Sequence, residues 1–330
     1  MTPYVSILIP VRNEASTIQR CLDAVLAQDY PQDRIEFLIA DGMSTDGTRQ
    51  IIRSYQDQYP HIQVFDNPGK IVPPGLNRLI PNSQGEILIR VDGHCLIAPD
   101  YVHNCVAHIQ NEGVDGVGGP MQSIGEDFTS RAIALAMSAK FGVGGSSFRT
   151  ETGQTKLVDS VPFPAYTRGI IEKVGLYDEE LIRNQDDEYN YRIRKAGGKI
   201  LLAADVRSTY YSRGSLKKLW HQFFQYGFYK VRVLQKHPRQ MSIRQFVPPV
   251  FVSTLFLSLI LSPIFPWGWI PFVGLVVVYL MANLGASLLT AKNEGWRYLP
   301  LLPLAFATLH ISYGLGFLVG LVKFWKRWKT

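Results

Sequence analysis

The sequence predicts an α/β domain built on a mostly parallel sheet, followed by an amphipathic neck and C-terminal transmembrane helices. In the first 90 residues, short apolar runs alternate with segments of helical periodicity. This alternation is typical of a parallel sheet with helices on both faces. Long apolar stretches then fill most of the chain from residue 246 onwards.

Four strands and three helices alternate at the start of the chain. Apolar runs predict strands at 4–11, 35–40, 62–67 and 86–93. Apolar residues at helical spacing predict helices at 13–28, 46–58 and 73–84. A dinucleotide-binding domain would carry G-x-G-x-x-G directly after the first strand, where this chain has "VRNEAST". The sequence therefore disfavours chemistry with a nicotinamide cofactor.

Charge is distributed unevenly along the chain. Residues 1–212 carry 20 Lys and Arg against 26 Asp and Glu, whereas residues 213–245 carry eight basic residues and no acidic one. Residues 246–330 carry six basic residues and one acidic residue. An acidic body with a basic neck is not the pattern of a nucleic-acid-binding face, so we expect no nucleic-acid partner.

Three C-terminal segments are long enough to cross a bilayer. Segments 246–265 and 269–291 contain no charged residue, and 299–322 contains only His310. About 20 apolar residues span the hydrocarbon core. A buried helix of a soluble protein is the alternative for one such segment, but three in succession predict an integral membrane protein in contact with lipids.

The basic neck predicts the orientation of the chain. Lys and Arg accumulate beside spans on the cytoplasmic side, so we expect residues 1–212 to form a cytoplasmic domain. Three complete spans would place the basic tail, 323–330, on the opposite side, against the same tendency. Either the tail lies at the membrane interface or one segment is re-entrant, and the sequence leaves both open. The N-terminus lacks the order of a signal peptide, and three scattered cysteines favour a reducing compartment.

Polar residues that suit a ligand follow three of the predicted strands. Arg12 and Glu14 follow the first strand, Asp41 the second, and Asp92 and His94 the fourth. The carboxyl ends of parallel strands meet at one edge of a sheet, where ligands bind. Asp and His are also metal ligands. The alternative is that these residues only face water, and the spacing by itself leaves both open.

The segment "DGMSTDGT", 41–48, also fits ordinary capping of the second helix. Ser, Thr and Asp accept hydrogen bonds from the first amides of a helix. We therefore predict that Ser44, Thr45 and Asp46 cap this helix, and Asp41 remains the candidate for ligand binding.

Five motifs carry a family resemblance. They are, in order, "VSILIPVRNE", "LIADGMSTDGT", "ILIRVDGHCLIAPDYV", "VGLYDEE" and "NQDDEYNYRIRKAGGKI". Together they resemble glycosyltransferase family 2, which has the GT-A nucleotide-diphospho-sugar transferase fold, over about residues 4–235. The segments "AMSAKFGVGGSSFR" and "HQFFQYGFYKVRVLQKHP" resemble the membrane glucosyltransferases of succinoglycan biosynthesis within that family.

The resemblance implies residues that bind the donor. Pro10, Arg12 and Glu14 match the segment that walls the nucleotide pocket. Asp41 matches the acid that contacts the base, but Gly42 stands where a second Asp is common. That difference puts part of the base contact in doubt.

The resemblance also implies a metal site. Asp92, Gly93 and His94 match the D-x-D motif, which meets the ribose and diphosphate and holds a divalent metal. His94 replaces the second Asp, the usual metal ligand. Imidazole suits Mn²⁺ better than Mg²⁺, which prefers oxygen ligands. With one negative charge fewer, the metal is expected to depend on the diphosphate for much of its coordination.

The family's Glu-Asp motif, followed by an Arg, matches residues 185–192. With Arg192 as the anchor, Gln185 replaces the Glu, and Asp186 matches the Asp that acts as general base on the acceptor hydroxyl. Asp187 is the alternative base. Acidic residues in a first helical turn also complement the helix dipole, which is the structural alternative.

The neck, 213–245, has apolar residues near helical spacing with lysines among them. This predicts a helix in the membrane interface, or one packed on the catalytic domain, or both. "QFFQY" stands where processive synthases of the family carry Q-x-x-R-W, and this departure disfavours a processive polymerase. Arg213, Trp220 and Gln222 are candidates to border the diphosphate or the acceptor.

The resemblance implies a metal-dependent, inverting glycosyltransferase of a prokaryotic plasma membrane. The expected donor is a UDP-sugar, with UDP-glucose preferred, and the expected acceptor is a polyprenyl-diphosphate-linked saccharide. A polyprenyl-phosphate sugar synthase is the alternative within the class, and a non-catalytic scaffold that binds nucleotide sugar is the alternative outside it. His94 and Gln185, which replace acidic residues of the family motifs, are compatible with a non-catalytic scaffold. Asp186 and Arg192, which keep the spacing of the family motif, argue against it.

Overall fold

The computed structural model describes residues 2–150, 153–264 and 267–328. The chain divides into unit 1, Met1–Gln122 with Glu151–Tyr210, and unit 2, Ser123–Thr150 with Tyr211–Thr330. We predicted that the catalytic domain ends at residue 212, close to the last junction. Segment 123–150, which we assigned to that domain, groups with the C-terminal helices because its short helices pack on the last long helix.

Strands are concentrated in unit 1 and long helices in unit 2. The strands are β1 Val5–Val11, β2 Ile35–Asp41, β3 Ile62–Asp66, β4 Ile87–Arg90, β5 Cys95–Ile97, β6 Gly116–Gly118, β7 Met121–Ile124, β8 Lys156–Leu157, β9 Ala165–Thr167, β10 Ile200–Leu202 and β11 Ser208–Tyr211. The helices are α1 Ile18–Leu26, α2 Thr48–Gln58, α3 Val72–Leu79, α4 Tyr101–Glu112, α5 Phe128–Ser138, α6 Lys140–Val143, α7 Ser147–Thr150, α8 Arg168–Val174, α9 Gln185–Lys195, α10 Leu216–Lys236, α11 Val247–Leu261, α12 Trp269–Glu294 and α13 Leu302–Lys323.

The main sheet has eight strands in the order β3–β2–β1–β4–β9–β6–β10–β8, and a second sheet has the order β5–β11–β7. β1 pairs in parallel with β2 and β4, whereas β9 lies antiparallel to β4 and β6. All residues of β1 and β2 are buried, as is typical of strands covered on both faces. The predicted mostly parallel sheet is confirmed.

Two predicted elements have different ends in the structure. α1 begins at Ile18 rather than near residue 13, because Asn13 has a positive φ of 55° and the Asn13 and Glu14 amides donate to the side chains of Ser44 and Thr48. β4 ends at Arg90 rather than at residue 93, because the Cys95 amide donates to the Asp92 carbonyl (2.9 Å) in a turn. Both differences release polar residues from regular structure where the two strands end.

Unit 2 contains three helices that are long and apolar enough to cross a membrane, at Ile243–Leu261, Trp269–Glu294 and Leu302–Lys323. They overlap the predicted segments, of which residue 265 lies outside the described residues. Within the most apolar 18 residues of each helix, the buried share is 17%, 11% and 44%, respectively. The third helix is therefore covered by protein to a much greater extent than the other two.

Candidate active site

β2, β1 and β4 are neighbours in the sheet, and their carboxyl ends lie at one edge. Val11 at the end of β1 is in register with Asp41 at the end of β2. A Cβ added to Gly93 would lie 2.9 Å from Val11 Cγ1 and 3.4 Å from Glu14 Cγ. The chain after β4 therefore runs tightly against the loop after β1, and Gly93 permits this close approach.

Arg90 joins two groups that we predicted to be functional, and we did not predict Arg90 itself. It ends β4 and is 5% exposed. Its Nε donates to Asp92 Oδ1 (2.9 Å), its Nη2 donates to Asp92 Oδ2 (3.1 Å), and its Nη1 pairs with Asp186. One guanidinium thereby holds the D-x-H motif and the predicted base together.

The sequence contained a signal for this bridge. Arg90 is the only charge in the apolar run "ILIRV", and it precedes Asp92 by two positions. Side chains two positions apart lie on the same side of an extended chain. A buried charge also requires a partner, so the combination of a buried strand and a nearby carboxylate indicated the pair.

The shared arginine leaves the two carboxylates with different acidities. Burial raises the pKa of Asp92, but the charges of Arg90 and His94 outweigh burial and hold this pKa below its usual range. Desolvation by the surrounding protein raises the pKa of Asp186 above its usual range, although 39% of the side chain stays exposed; Arg90 opposes this effect, and Asp92 and Asp187 reinforce it. A carboxylate with a lowered pKa suits a cation ligand, whereas one with a raised pKa suits a general base.

Asp186 is also the more accessible of the two carboxylates. It follows Gln185 at the start of α9, and Gln185 itself is 5% exposed. The side chain of Asp186 keeps 39% of its exposure, against 19% for Asp92. An acceptor hydroxyl can therefore reach Asp186 more easily than Asp92.

Arg192 fixes α9 in place through the chain that precedes the helix. Its Nε donates to Glu188 Oε1 (2.7 Å), its Nη1 to the Val174 carbonyl (2.7 Å) and its Nη2 to the Leu176 carbonyl (2.9 Å). Glu188 belongs to the first turn of α9, so Arg192 ties that turn to the chain at residues 174–176. Its observed contacts are those of a residue that positions the acidic first turn.

His94 is oriented by contacts on two sides of its ring. Its Nδ1 lies 2.9 Å from Glu14 Oε1, and the ring packs edge-on against Tyr210 with 5.5 Å between centroids. Thr17 Oγ1 donates to Glu14 Oε2 (3.0 Å) and fixes that carboxylate. Glu14 thus engages Nδ1 and leaves Nε2 for a ligand, an arrangement common among metal-binding histidines.

The donors here fit a divalent cation that shares its coordination with a substrate. Asp92 offers carboxylate oxygen and His94 offers imidazole nitrogen. Across the described ranges, no group of three or more His, Cys, Asp or Glu is arranged to hold a metal. Cations in nucleotide sites commonly take one or two protein ligands and complete their shell with phosphates and water. Two protein donors beside a diphosphate match that pattern.

Asp41 is fully buried and engaged by protein groups. Arg49 Nε donates to its Oδ2 (2.9 Å), and the Ser44 amide donates to its Oδ1 (3.2 Å). Arg49 also pairs with Asp66. Contact between Asp41 and a nucleobase would require the segment 42–48 to move, and the role of Asp41 in base binding stays a prediction.

Of the three residues that we predicted to cap α2, only Asp46 binds an amide at its start. Asp46 Oδ1 accepts from the Thr48 amide (3.1 Å). Ser44 Oγ instead accepts from the Asn13 amide (3.0 Å), and the Thr45 amide donates to Asn13 Oδ1 (2.9 Å). This reciprocal pair stabilises the loop after β1, where Asn13 has a positive φ of 55°.

The remaining donor-binding candidates lie around the end of β1. Pro10 is buried within β1, and Arg12 is exposed beyond it with its Nη1 donating to the Lys70 carbonyl (3.4 Å). A Cβ added to Gly42 would lie 3.0 Å from Arg12 Cβ. A larger residue at Gly42 would therefore require the Arg12 side chain to shift.

The candidates from the neck lie in unit 2. Arg213 Nε donates to Gln222 Oε1 (3.3 Å), and Gln222 Nε2 donates to the Tyr226 hydroxyl (3.0 Å). Trp220 is 39% exposed on the same helix, α10. Their contact with a diphosphate or an acceptor stays a prediction.

Residues 6–175, just over half of the chain, match the model of Glycosyl transferase family 2. The chain belongs to glycosyltransferase family 2. It is 32% identical to the succinoglycan biosynthesis protein ExoA of Rhizobium meliloti, covering 97% of this chain and 96% of that protein. It is 29% identical to a dolichyl N-acetyl-α-D-glucosaminyl phosphate diacetamido-dideoxy-glucuronosyltransferase of Methanococcus voltae, covering 97% and 98%. The predicted family and its transferase activity are confirmed.

A solved structure confirms the GT-A fold. The mannosyltransferase PcManGT from Pyrobaculum calidifontis, in complex with GDP-Man and Mn²⁺, superposes with a TM-score of 0.61 at 20% identity. The alignment covers 96% of this chain and 88% of that chain. The glycosyltransferase fold therefore persists although most of the sequence differs.

Proposed function

We propose that this glycosyltransferase moves glucose from UDP-glucose to a polyprenyl-diphosphate-linked saccharide with inversion at the anomeric carbon. The observation that carries the proposal is the bridge Asp92–Arg90–Asp186, because it holds a donor-binding motif and an accessible carboxylate at one site. The name of the Methanococcus voltae relative, which contains a dolichyl-linked sugar phosphate, supports a lipid-linked saccharide as the acceptor, and the name of ExoA supports a role in polysaccharide synthesis.

In this proposal Asp186 takes the proton from the acceptor hydroxyl as that oxygen attacks the anomeric carbon. The bond to the acceptor oxygen forms, and the bond to the diphosphate oxygen breaks with its electron pair leaving on UDP. Attack from the face opposite the diphosphate inverts the anomeric centre. Because its pKa is raised, the Asp186 carboxylate is more basic than an ordinary exposed aspartate.

Asp92 and His94 Nε2 would hold a divalent metal together with the diphosphate. When bound, the metal supplies positive charge that stabilises the departing diphosphate. An imidazole ligand favours Mn²⁺ over Mg²⁺. The PcManGT complex contains Mn²⁺, which supports a divalent metal in this fold. Glu14 would keep the imidazole in the orientation that the metal requires.

The same proposal assigns a role to each part of the chain. Unit 1, within the predicted domain 1–212, would carry the chemistry on the cytoplasmic side of a prokaryotic plasma membrane. The neck, 213–245, would lie at the membrane interface, and residues 246–330 would form the membrane domain. Lipid-linked acceptors lie at that surface, so anchoring raises their local concentration.

A donor screen tests the proposal. Detergent-purified full-length protein receives a lipid extract that contains lipid-linked saccharides, together with UDP-glucose, UDP-galactose, UDP-N-acetylglucosamine or GDP-mannose. We expect sugar transfer and UDP release from UDP-glucose, faster with Mn²⁺ than with Mg²⁺ and abolished by EDTA. NMR of the product should show the inverted anomer.

The same sample distinguishes the ways in which the proposal can fail. Turnover of GDP-mannose but not of UDP-glucose would overturn the donor assignment. Transfer to a lipid monophosphate but not to a lipid-linked saccharide would establish the polyprenyl-phosphate synthase alternative. If calorimetry detected no binding of any nucleotide sugar, the catalytic proposal would be wrong.

A further inference from the structure

We propose that α13 does not cross the membrane, and that α11 and α12 alone enter it as a hairpin. The basic neck and the basic tail, 323–330, then lie on the same side of the bilayer. All three helices are long and apolar enough to cross, so length and composition do not distinguish the two arrangements. The packing inside unit 2 does.

The first half of α13 packs against chain that cannot enter hydrocarbon. His310 Nε2 lies 2.8 Å from the Phe141 carbonyl, and the ring of Phe141 lies 5.2 Å and 4.9 Å from those of Phe306 and His310. Phe141 belongs to the four-residue helix α6, and Ala139 before it is extended. Irregular backbone exposed to lipid would leave amides and carbonyls without partners. This side of α13 therefore lies outside the hydrocarbon core.

The second half of α13 packs along α10 at distances that only glycine permits. A Cβ added to Gly316 would lie 2.1 Å from the Phe224 carbonyl, and one added to Gly320 would lie 2.6 Å from the Phe228 carbonyl. Both partners advance by four residues between the two contacts, so the helices run side by side in parallel. The depth of α13 in a membrane consequently sets the depth of α10.

α10 is not suited to the hydrocarbon core. Its 21 residues include five Lys or Arg. Lys217 and Lys218 are exposed and lie about two turns before Phe224, which places them level with the middle of α13. Lys and Arg at the bilayer centre are strongly disfavoured. A membrane-crossing α13 would carry these two charges into the core, whereas an interfacial α13 would not.

Unlike α10, the hairpin of α11 and α12 has a surface that is mostly apolar. Large apolar side chains stand exposed along it, among them Phe256, Ile260, Val278, Met281, Leu284 and Leu289. The segment that contains α11, Ile243–Leu261, has 19 residues, and α12 has 26, so they are roughly 28 and 39 Å long at about 1.5 Å per residue. Both lengths suit a core of about 30 Å. Lipid is the one environment that fits this surface.

Charge along the sequence agrees with the hairpin. Only residues 262–268 would reach the far side, and this segment of the sequence contains no charged residue. With three spans, the four Lys and Arg of the tail would lie on the far side, against the positive-inside tendency. α13 also keeps an exposed apolar strip that includes Leu304, Val319 and Val322, as expected for a helix lying in the interface.

Cysteine labelling of the full chain tests the proposal. Three exposed positions are changed one at a time: Lys217→Cys in the neck, Ile264→Cys after α11 and Lys326→Cys in the tail. The native cysteines, Cys21, Cys95 and Cys105, are buried, so the unchanged protein supplies the background. Spheroplasts receive a membrane-impermeant maleimide before or after permeabilisation.

We expect Ile264→Cys to react in intact spheroplasts, and Lys217→Cys and Lys326→Cys to react only after permeabilisation. Reaction of Lys326→Cys in intact spheroplasts, with Lys217→Cys still protected, would show that α13 crosses and would overturn the proposal. Protection of Ile264→Cys in intact spheroplasts would show that the hairpin does not cross, which would also overturn it. Labelling requires no catalysis, so the outcome is independent of the proposed transferase reaction.

Discussion

The strand edge of unit 1 and the helical hairpin of unit 2 expose opposite kinds of surface. At the strand edge, a buried arginine is enclosed by two carboxylates, and a histidine is oriented by a third. In the hairpin, leucines, valines and a methionine stand open over most of α12. Buried charge is stable only when it is paired, and exposed hydrocarbon is stable only out of water. The comparison supports our proposals that the strand edge binds a polar ligand and that the hairpin faces lipid.

The largest effect should follow from removing the bridge. Arg90→Met keeps most of the side-chain volume and leaves Asp92 and Asp186 without their shared partner. Loss of one partner of a buried ion pair costs about 3–5 kcal/mol. We expect a lower thermal unfolding temperature and at least about a hundredfold slower transfer. Arg34→Met is the matched control, because the Arg34 side chain is 53% exposed. Unchanged transfer in Arg90→Met would contradict the bridge.

A smaller effect should follow at the metal position. His94→Asp restores the oxygen ligand that is usual in the family. We expect the ratio of rates with Mn²⁺ and Mg²⁺ to fall about tenfold, because Mg²⁺ prefers oxygen donors. His103→Asp, at an exposed position of α4, should leave that ratio unchanged. An unchanged ratio in His94→Asp would remove His94 from the metal site.

Substitutions at two glycines test the difference between α13, which is covered by protein, and α12, which is exposed. An added methyl group at Gly316 in α13 would meet the Phe224 carbonyl, whereas nothing lies within 4 Å of a Cβ at Gly274 in α12. Gly316→Ala should destabilise the protein by about 1–3 kcal/mol through overpacking. Gly274→Ala should be neutral or stabilising, because Ala favours a helix by about 1 kcal/mol over Gly. Equal thermal unfolding temperatures for the two variants would contradict the close packing of α10 on α13.

The smallest effect concerns a surface histidine of unit 1. His108 lies 2.6 Å from Glu112 and 2.8 Å from Asp205. Burial lowers the pKa of His108, but hydrogen bonds to Asp205 and Glu112 outweigh burial and raise it. The pair therefore stabilises fully below the unfolded pKa of about 6.5, and this stability is lost as pH rises through the folded pKa.

His108→Gln should consequently lose less than about 1 kcal/mol, as is usual for partly exposed pairs. The difference in unfolding temperature from the unchanged protein should be larger at about pH 5.5 than at about pH 9. A difference that grows with rising pH would contradict the sign of this pKa shift.

The sequence predicted the parts of the site that depend on local pattern. Asp92 and His94 were predicted because they follow an apolar strand, and Asp186 was predicted because Arg192 set the register of a family motif; their roles stay predictions. Residues that matter through distant partners were harder to predict. Glu14 precedes His94 by 80 positions, and no local sequence pattern shows that the two side chains are in contact. The capping of α2 was wrong for Ser44 and Thr45 for the same reason, since both bind Asn13.

The packing of the C-terminal helices could not be predicted from the sequence either, because it depends on residues that are distant in the sequence. Hydropathy ranks α11, α12 and α13 as equivalent, because it measures composition and not contact. The contacts of Gly316 and Gly320 with α10 join residues about 90 positions apart. Two glycines four residues apart occur in many helices, and this spacing does not predict which helix packs against them.

The most direct test of the central claim is the transfer rate of Asp186→Asn beside that of Asp187→Asn. We predict that Asp186→Asn slows single-turnover transfer from UDP-glucose by about 10²–10⁴-fold. Calorimetry should show unchanged donor binding in both variants, and Asp187→Asn should transfer at nearly the original rate. In the unchanged protein, the rate should fall as pH falls through the raised pKa of Asp186. Full activity of Asp186→Asn, or loss of activity in Asp187→Asn alone, would contradict the assignment of Asp186 as the base.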